Sequence, residues 1–456
     1  MNFRRIITLL SAVAVLASCA QSNIPVITVE GGQVKGVRSE TRGVTVYKGI
    51  PYAAPPVDTL RWSLPQMVEP WEGVLVADTF GKIPYQMDMT TMDLYGKEFY
   101  SAGMPEMSED CLYLNVWTPS EAVADTTAKL PVAVWIHGGA FSHGYGHEIT
   151  FDGDAWAKKG VILVTINYRL GVLGFLASSL FLDPEKMVAT SGNYGLYDQA
   201  FAIGWVYRNI QQFGGDPSNI TIFGQSAGAK SVQSLVSSTV TGEFVSKAII
   251  QSGGGINTNE QKPIMLYQAI EQGDAFCEKM GYETVEQIRA ASPEEIMAKA
   301  DEYKANGGEL TLRPILDFAL AGSSFTSAAA MDRVLDIPYM IGFVSKDRAG
   351  AGDDIDQFCA SRDYYEGQPV YEYEFTRELP GDDAGAFHSA ELWYMFHTLD
   401  RCWRPFTKAD YKLADEMLDA WTNFAKYGDP NGAEPSDAWP PFTQENSFRK
   451  IFDIEN

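Results

Sequence analysis

Short, nearly continuous apolar runs that end in glycine or polar residues recur along this chain. They are LPVAVWIHGG (130–139), GVILVTINYR (160–169), NITIFG (219–224), SKAIIQSG (246–253) and IPYMIGF (337–343). Runs of this length with no polar face suit strands buried on both sides of a mainly parallel sheet. Stretches of helical period lie between them, such as YDQAFAIGWVYRNIQQFG (197–214). This β-then-α rhythm, from Val26 onward, predicts an α/β fold: a central, mostly parallel sheet flanked by helices, with its chemistry at the carboxyl ends of the strands. Residues 256–310 break the rhythm, being polar, helical in period and poor in strand formers. They predict a helical insertion or cap on a single domain spanning 26–456. No internal repeat or low-complexity block interrupts it.

The first residues have a different pattern. MNFRR places Arg4 and Arg5 ahead of IITLLSAVAVLA, an apolar stretch too short to span a membrane comfortably. The stretch ends LASC, with small residues directly before Cys19, and so resembles a bacterial lipobox. This predicts a lipoprotein signal peptide at 1–18, lipidation of Cys19 and a short tether over 19–25. The implied location is the cell envelope, with the outer membrane favoured because Ala20 and Gln21 supply no inner-membrane retention acid.

Composition narrows the partners. Hydrophobic content of 45% is ample for a large core, and the formal charge of −24 becomes more negative once Arg4 and Arg5 are removed. Such a balance repels phosphate backbones, which argues against nucleic acid as a partner. Beyond Cys19, the cysteines Cys111, Cys277, Cys359 and Cys402 lack CxxC or metal-type spacing, and are expected to be mostly buried thiols.

Candidate chemistry centres on TIFGQSAGAK (221–230), where Gly224, Gln225, Ser226 and Gly228 make a Gly-x-Ser-x-Gly motif. A strand precedes it and a helix can start directly after it. A strand-to-helix elbow is strained, and glycines on both flanks relieve the clash while the hydroxyl is exposed. WIHGGAFSHG (135–144) ends a strand at His137 and supplies unobstructed backbone N–H groups. Gly139, Ala140 and Ala227 are therefore the candidate oxyanion donors. Five histidines compete to be the base. His137 belongs to the oxyanion loop, and His143 and His147 share an i,i+4 spacing in a sequence too glycine-rich for a metal-binding helix. His397 lies in an aromatic run and reads as packing, which leaves His388. The order Ser, acid, His puts the acid between them. Asp347 follows a buried strand at its carboxyl end; Asp317, Asp353 and Asp354 are the alternatives.

Several longer segments resemble the type-B carboxylesterase family, the group that includes cholinesterases, within the α/β-hydrolase fold. They include YKGIPYAAPPVDTLRW (47–62), SEDCLYLNVW (108–117), INYRLGVLGFL (166–176), GNYGLYDQ (192–199), NIQQFGGDPSNITIFGQSAG (209–228), GAFHSAEL (385–392) and WTNFAKYGDPNG (421–432). The resemblance implies a triad of Ser226, His388 and Asp347, oxyanion donors at Gly139, Ala140 and Ala227, and structural ion pairs Arg61–Glu109 and Arg169–Asp198. It implies no metal and no cofactor. The chain departs from the family pattern in several ways. Asp347 stands where glutamate is usual and is followed by Arg348. Gln225 replaces a glutamate beside the serine, which disfavours cationic esters. Pro84 and Tyr282 replace family cysteines. Only 41 positions separate Asp347 from His388, so part of the helical wall should be missing and the cap reduced, leaving a more open cleft.

The implied activity is hydrolysis of carboxylic esters through an acyl-enzyme. Neutral short-chain esters and plant-derived acyl or phenolic esters, free or glycan-linked, are the expected substrates. A thioesterase or amidase with the same triad, and a catalytically silent surface binding protein, are the competing readings.

Overall fold

The computed structural model describes residues 24–182, 191–257, 262–434 and 436–454. The expected signal peptide (1–18), Cys19 and most of the expected tether lie outside the described residues. Among the described residues the main sheet has ten strands: β1 (Val37–Arg38), β2 (Val44–Pro51), β3 (Tyr113–Pro119), β4 (Leu130–Ile136), β5 (Ile162–Ile166), β6 (Gly215–Gln225), β7 (Lys247–Gln251), β8 (Tyr339–Val344), β9 (Val370–Phe375) and β10 (Arg449–Phe452). Their order across the sheet is β10-β9-β8-β7-β6-β4-β5-β3-β2-β1. From β10 to β5 every neighbouring pair is parallel, and the remaining pairs, from β5–β3 to β2–β1, are antiparallel. A small separate sheet near the start joins Ile27–Val29, Gly32–Lys35 and Val74–Val76.

All five apolar runs of the sequence are strands of this parallel section. They lack a polar face because both faces are covered. Val132, Val134 and Ile136 of β4 enter one core with Ile220 and Ile222 of β6, whereas Ala133 and Trp135 enter the opposite core with Phe223. Helices α1 (Asp93–Phe99), α2 (Tyr194–Asn209), α3 (Ala227–Val236), α4 (Leu266–Met280), α5 (Val285–Ala290), α6 (Pro293–Ala305), α7 (Ala351–Tyr364) and α8 (Lys408–Tyr427) surround the sheet. The first face receives Ile203 and Val206 of α2, Val232 and Leu235 of α3, and Ile355 and Phe358 of α7. The second receives Met417, Leu418, Trp421 and Phe424 of α8. Burial of side chains of this size contributes about 1.5–3 kcal/mol each.

Between β7 and β8 the described residues include the helices α4–α6. Phe276, Ile288, Ile296 and Ala300 of α4–α6 share a core with Trp62, Leu173, Leu176 and Tyr194 of the body. Arg61 fastens this insertion: its Nε and Nη2 donate to the two carboxylate oxygens of Glu109 at 2.5 Å each. Its Nη1 donates to the carbonyls of Arg289 (3.0 Å) and Ala291 (2.7 Å). The second implied pair also forms. Arg169 Nε and Nη2 donate to Asp198 Oδ2 and Oδ1 at 2.8 and 2.7 Å, with both side chains buried.

Cys111, Cys277 and Cys359 are buried free thiols, and Cys402 is a half-buried one. No helix among the described residues is long and apolar enough to cross a membrane.

Candidate active site

Ser226 follows the last residue of β6 and immediately precedes α3. Its backbone has φ 58° and ψ −120°, a strained conformation that aims the side chain out of the elbow. The neighbouring strand fixes this turn, because Ser226 N–H donates to the Gln251 carbonyl at 2.9 Å. Gly228 is obligatory: a Cβ there would overlap the Ile136 carbonyl oxygen at the end of β4. Gly138 is also close-packed, since a Cβ on it would stand 2.8 Å from the Gln225 carbonyl oxygen and 3.3 Å from Ser226 Cβ.

The loop after β4 turns back over the serine. Gly139 has φ 102°, and a Cβ on it would strike the His143 carbonyl; Ala140 follows at φ 53°. Among the described residues none accepts a hydrogen bond from the N–H of Gly139, Ala140 or Ala227. Ala227 is also the first residue of α3, where the helix dipole favours negative charge.

His388 lies in the loop after β9. Its Nδ1 stands 2.5 Å from Asp347 Oδ1, and Asp347 Oδ2 accepts the Val344 N–H at 3.1 Å. The acid is thus anchored at the carboxyl end of β8, and Lys346 N–H donates to the Ala386 carbonyl (3.2 Å), joining the two loops. On the other edge of the imidazole, Gln225 Nε2 stands 3.2 Å from Nε2. With Nδ1–H donating to Asp347, Nε2 is an acceptor and the Gln225 amide is its donor. Burial works against the protonated imidazole, but the hydrogen bond and charge of Asp347, aided by the Glu391 charge, outweigh it and raise the His388 pKa above 6.5. Glu391, three residues on, is fully buried; burial and the Asp347 charge push its carboxyl up to about 7.

The competing acids and histidines are occupied elsewhere. Asp317 accepts from Asn193 Nδ2 (3.0 Å), Tyr197 OH (3.1 Å) and the N–H groups of Ala319 and Ala321. Asp354 is paired with Arg348, and Asp353 sits in the first turn of α7. His137 stacks on Tyr168 with centroids 4.4 Å apart, and burial holds its pKa down to about 3. His147 stacks on Phe80 (4.5 Å), and His143 Nδ1 stands 3.1 Å from Ser142 Oγ; burial lowers both to about 4. His397 is half-buried beside Tyr411, with Nε2 3.0 Å from Asp415. Among the described residues no group of three or more ligating side chains could hold a metal.

Two cavities meet at Ser226, Ala140 and His388. One, about 270 Å³, is walled by Met89, Met92, Tyr95, Phe99, Phe151 and Leu392. The other, about 390 Å³, carries Lys230, Arg313 and Arg348. None of the described residues of α4–α6 lines either cavity; the wall of the first comes instead from the segment around α1. That wall is absent from the sequence reading, although Met89, Met92, Tyr95 and Phe99 have the three-and-four spacing of an apolar helical face. Tyr95 also donates from its hydroxyl to the His388 carbonyl at 3.2 Å.

A mostly parallel sheet with a strained serine elbow at the end of a central strand defines an α/β-hydrolase. Sequence and structure comparisons agree on the family. The model of the carboxylesterase family matches residues 23–356 and 352–455, and the chain belongs to that family. It is 32% identical to a para-nitrobenzyl esterase of Bacillus subtilis (strain 168), covering 94% of this chain and 95% of that one. It is 31% identical to a fumonisin B1 esterase of Sphingopyxis macrogoltabida, covering 94% and 87%. Among solved structures, a thermophilic PNB esterase superposes with a TM-score of 0.81 at 30% identity, covering 94% of this chain and 96% of that one. The protein is accordingly a carboxylic ester hydrolase.

Proposed function

We propose that Ser226 is the nucleophile of a two-step ester hydrolysis, with His388 as general base and acid and Asp347 as its orienting partner. The observation that carries this reading is the strained Ser226 elbow opening into the cavities that His388 borders, with the imidazole tethered to Asp347 on its far edge. Asp347 fixes the tautomer with Nδ1–H inward, and Nε2, once the Gln225 amide gives way, takes the Ser226 proton as Oγ attacks the ester carbonyl. The N–H groups of Gly139, Ala140 and Ala227 receive the developing oxyanion, where losing one such donor typically costs about 10²–10³-fold in rate. His388 then protonates the leaving alcohol and activates the water that releases the acid.

The purified enzyme is expected to hydrolyse p-nitrophenyl acetate and butyrate. The base works only when neutral, so kcat/KM rises with pH through an acidic limb centred above 6.5, because His388 is shifted upward. A well-folded protein inert toward both esters, or a limb centred well below 6.5, would contradict the assignment.

The substrates proposed are short-chain esters and plant-derived acyl or phenolic esters, free or glycan-linked. The apolar wall of the smaller cavity and the absence of a carboxylate at Gln225 support an uncharged arm on that side. The N-terminal pattern supports export and anchoring through a lipid on Cys19, in the outer membrane. In cells fed labelled palmitate the full chain should take up label and partition with membranes, and Cys19→Ala should do neither. Release of an unlabelled wild-type protein into the soluble fraction would refute the anchor.

A further inference from the structure

The apolar cavity beside Ser226 contains one buried carboxyl group that the proposed reaction does not use. Glu148 is 7% exposed and lines that cavity together with Phe99, Tyr100 and Phe151. Its position is fixed through a single oxygen: Oε1 accepts both the Tyr100 hydroxyl and the Tyr145 N–H, at 3.1 Å each. Among the described residues no cation pairs with the carboxyl and no group bonds Oε2, which is left to the cavity.

A residue that served only to hold the loop would need one acceptor, which an amide supplies at lower cost than a buried acid. A carboxyl in a wall of methionine and aromatic side chains is expensive unless a partner completes its hydrogen bonding. Burial pushes this carboxyl up to about 7. The methionine and aromatic side chains of the lining suit an aromatic group, and Glu148 supplies a polar acceptor among them.

We propose that Glu148 is a specificity residue whose Oε2 accepts a hydrogen bond from a hydroxyl on an aromatic arm of the ester, selecting phenolic over non-phenolic substrates. This rests on Ser226 being the nucleophile and names the substrate group that the adjoining cavity recognises. A site built to bond a substrate hydroxyl rejects the analogue that lacks it, because the site's own polar group is then left unpaired.

The test measures kcat/KM for two matched pairs. Methyl 4-hydroxycinnamate against methyl cinnamate probes the acyl arm, and 2-(4-hydroxyphenyl)ethyl acetate against 2-phenylethyl acetate probes the alcohol arm. The wild-type enzyme should favour the hydroxylated member of at least one pair by about 100-fold, in line with a hydrogen bond to a charged group. Glu148→Leu should bring that ratio close to one. Glu148→Gln keeps the contacts to Tyr100 and Tyr145 and should give an intermediate ratio, so the test survives if the leucine variant fails to fold. Hydrolysis of p-nitrophenyl butyrate, measured in parallel, separates the two readings: failure there removes the serine assignment itself. Turnover of butyrate with ratios near one in both wild-type pairs, or a preference unchanged in the Glu148 variants, overturns the role of Glu148 alone.

Discussion

Ser226→Ala should abolish ester hydrolysis, with kcat toward p-nitrophenyl butyrate falling roughly 10⁶-fold, as when a triad serine is removed from other hydrolases. The fold should be untouched. Alanine meets the same backbone strain at φ 58°, and the N–H bond to the Gln251 carbonyl does not involve the side chain. The melting temperature should therefore stay within a degree or two of wild type, since surface-facing changes of this kind cost about 0.5 kcal/mol or less. A large loss of activity with an unchanged melting curve isolates the chemistry. Residual activity within tenfold of wild type would mean that another residue attacks the ester.

Asp347→Asn should lower kcat about 10⁴-fold, the cost of presenting the imidazole in the wrong tautomer. It should also move the pH profile. Burial depresses the His388 pKa, and the hydrogen bond and charge of Asp347 are what raise it above 6.5. Removing both leaves burial opposed only by the Glu391 charge, so the acidic limb of residual activity shifts to lower pH. A pH profile unchanged from wild type, with activity near wild type, would place the orienting acid elsewhere. Asp317 is already fully engaged with Asn193, Tyr197 and two backbone N–H groups, so such an outcome would leave Glu391 as the nearest alternative carboxyl.

The central strands β4–β8 were legible because their apolar runs are buried on both faces and need no alternation to be seen. Trp135 and Val134 point to opposite cores, yet both are apolar. The elbow was equally legible, because backbone crowding at Gly224 and Gly228 permits no side chain and writes itself into the sequence as a motif. Histidine and acid were harder: spacing left Asp347, Asp317, Asp353 and Asp354 open, and only family resemblance separated them. The three-dimensional reason is local, since the turn after β8 returns the Asp347 carboxyl to the Val344 N–H while Asp354 is drawn to Arg348. What the sequence hid were contacts between segments far apart in the chain. Tyr95 reaches the His388 carbonyl across 293 positions, and Gln225 meets the imidazole across 163. Glu148 was hidden for a related reason: in HGYGHEITF it reads as a loop acid, and only packing against Tyr100 reveals that it is buried.

The most direct test of the central claim is to treat the enzyme with diethyl p-nitrophenyl phosphate and locate the adduct by peptide mass spectrometry. Attack of Ser226 Oγ on phosphorus, with departure of p-nitrophenolate, leaves a diethyl phosphate ester on the serine. The account predicts a single diethyl phosphate on the peptide that contains Ser226, formed as esterase activity disappears and absent from Ser226→Ala. Complete inactivation with the adduct on a different residue would contradict it.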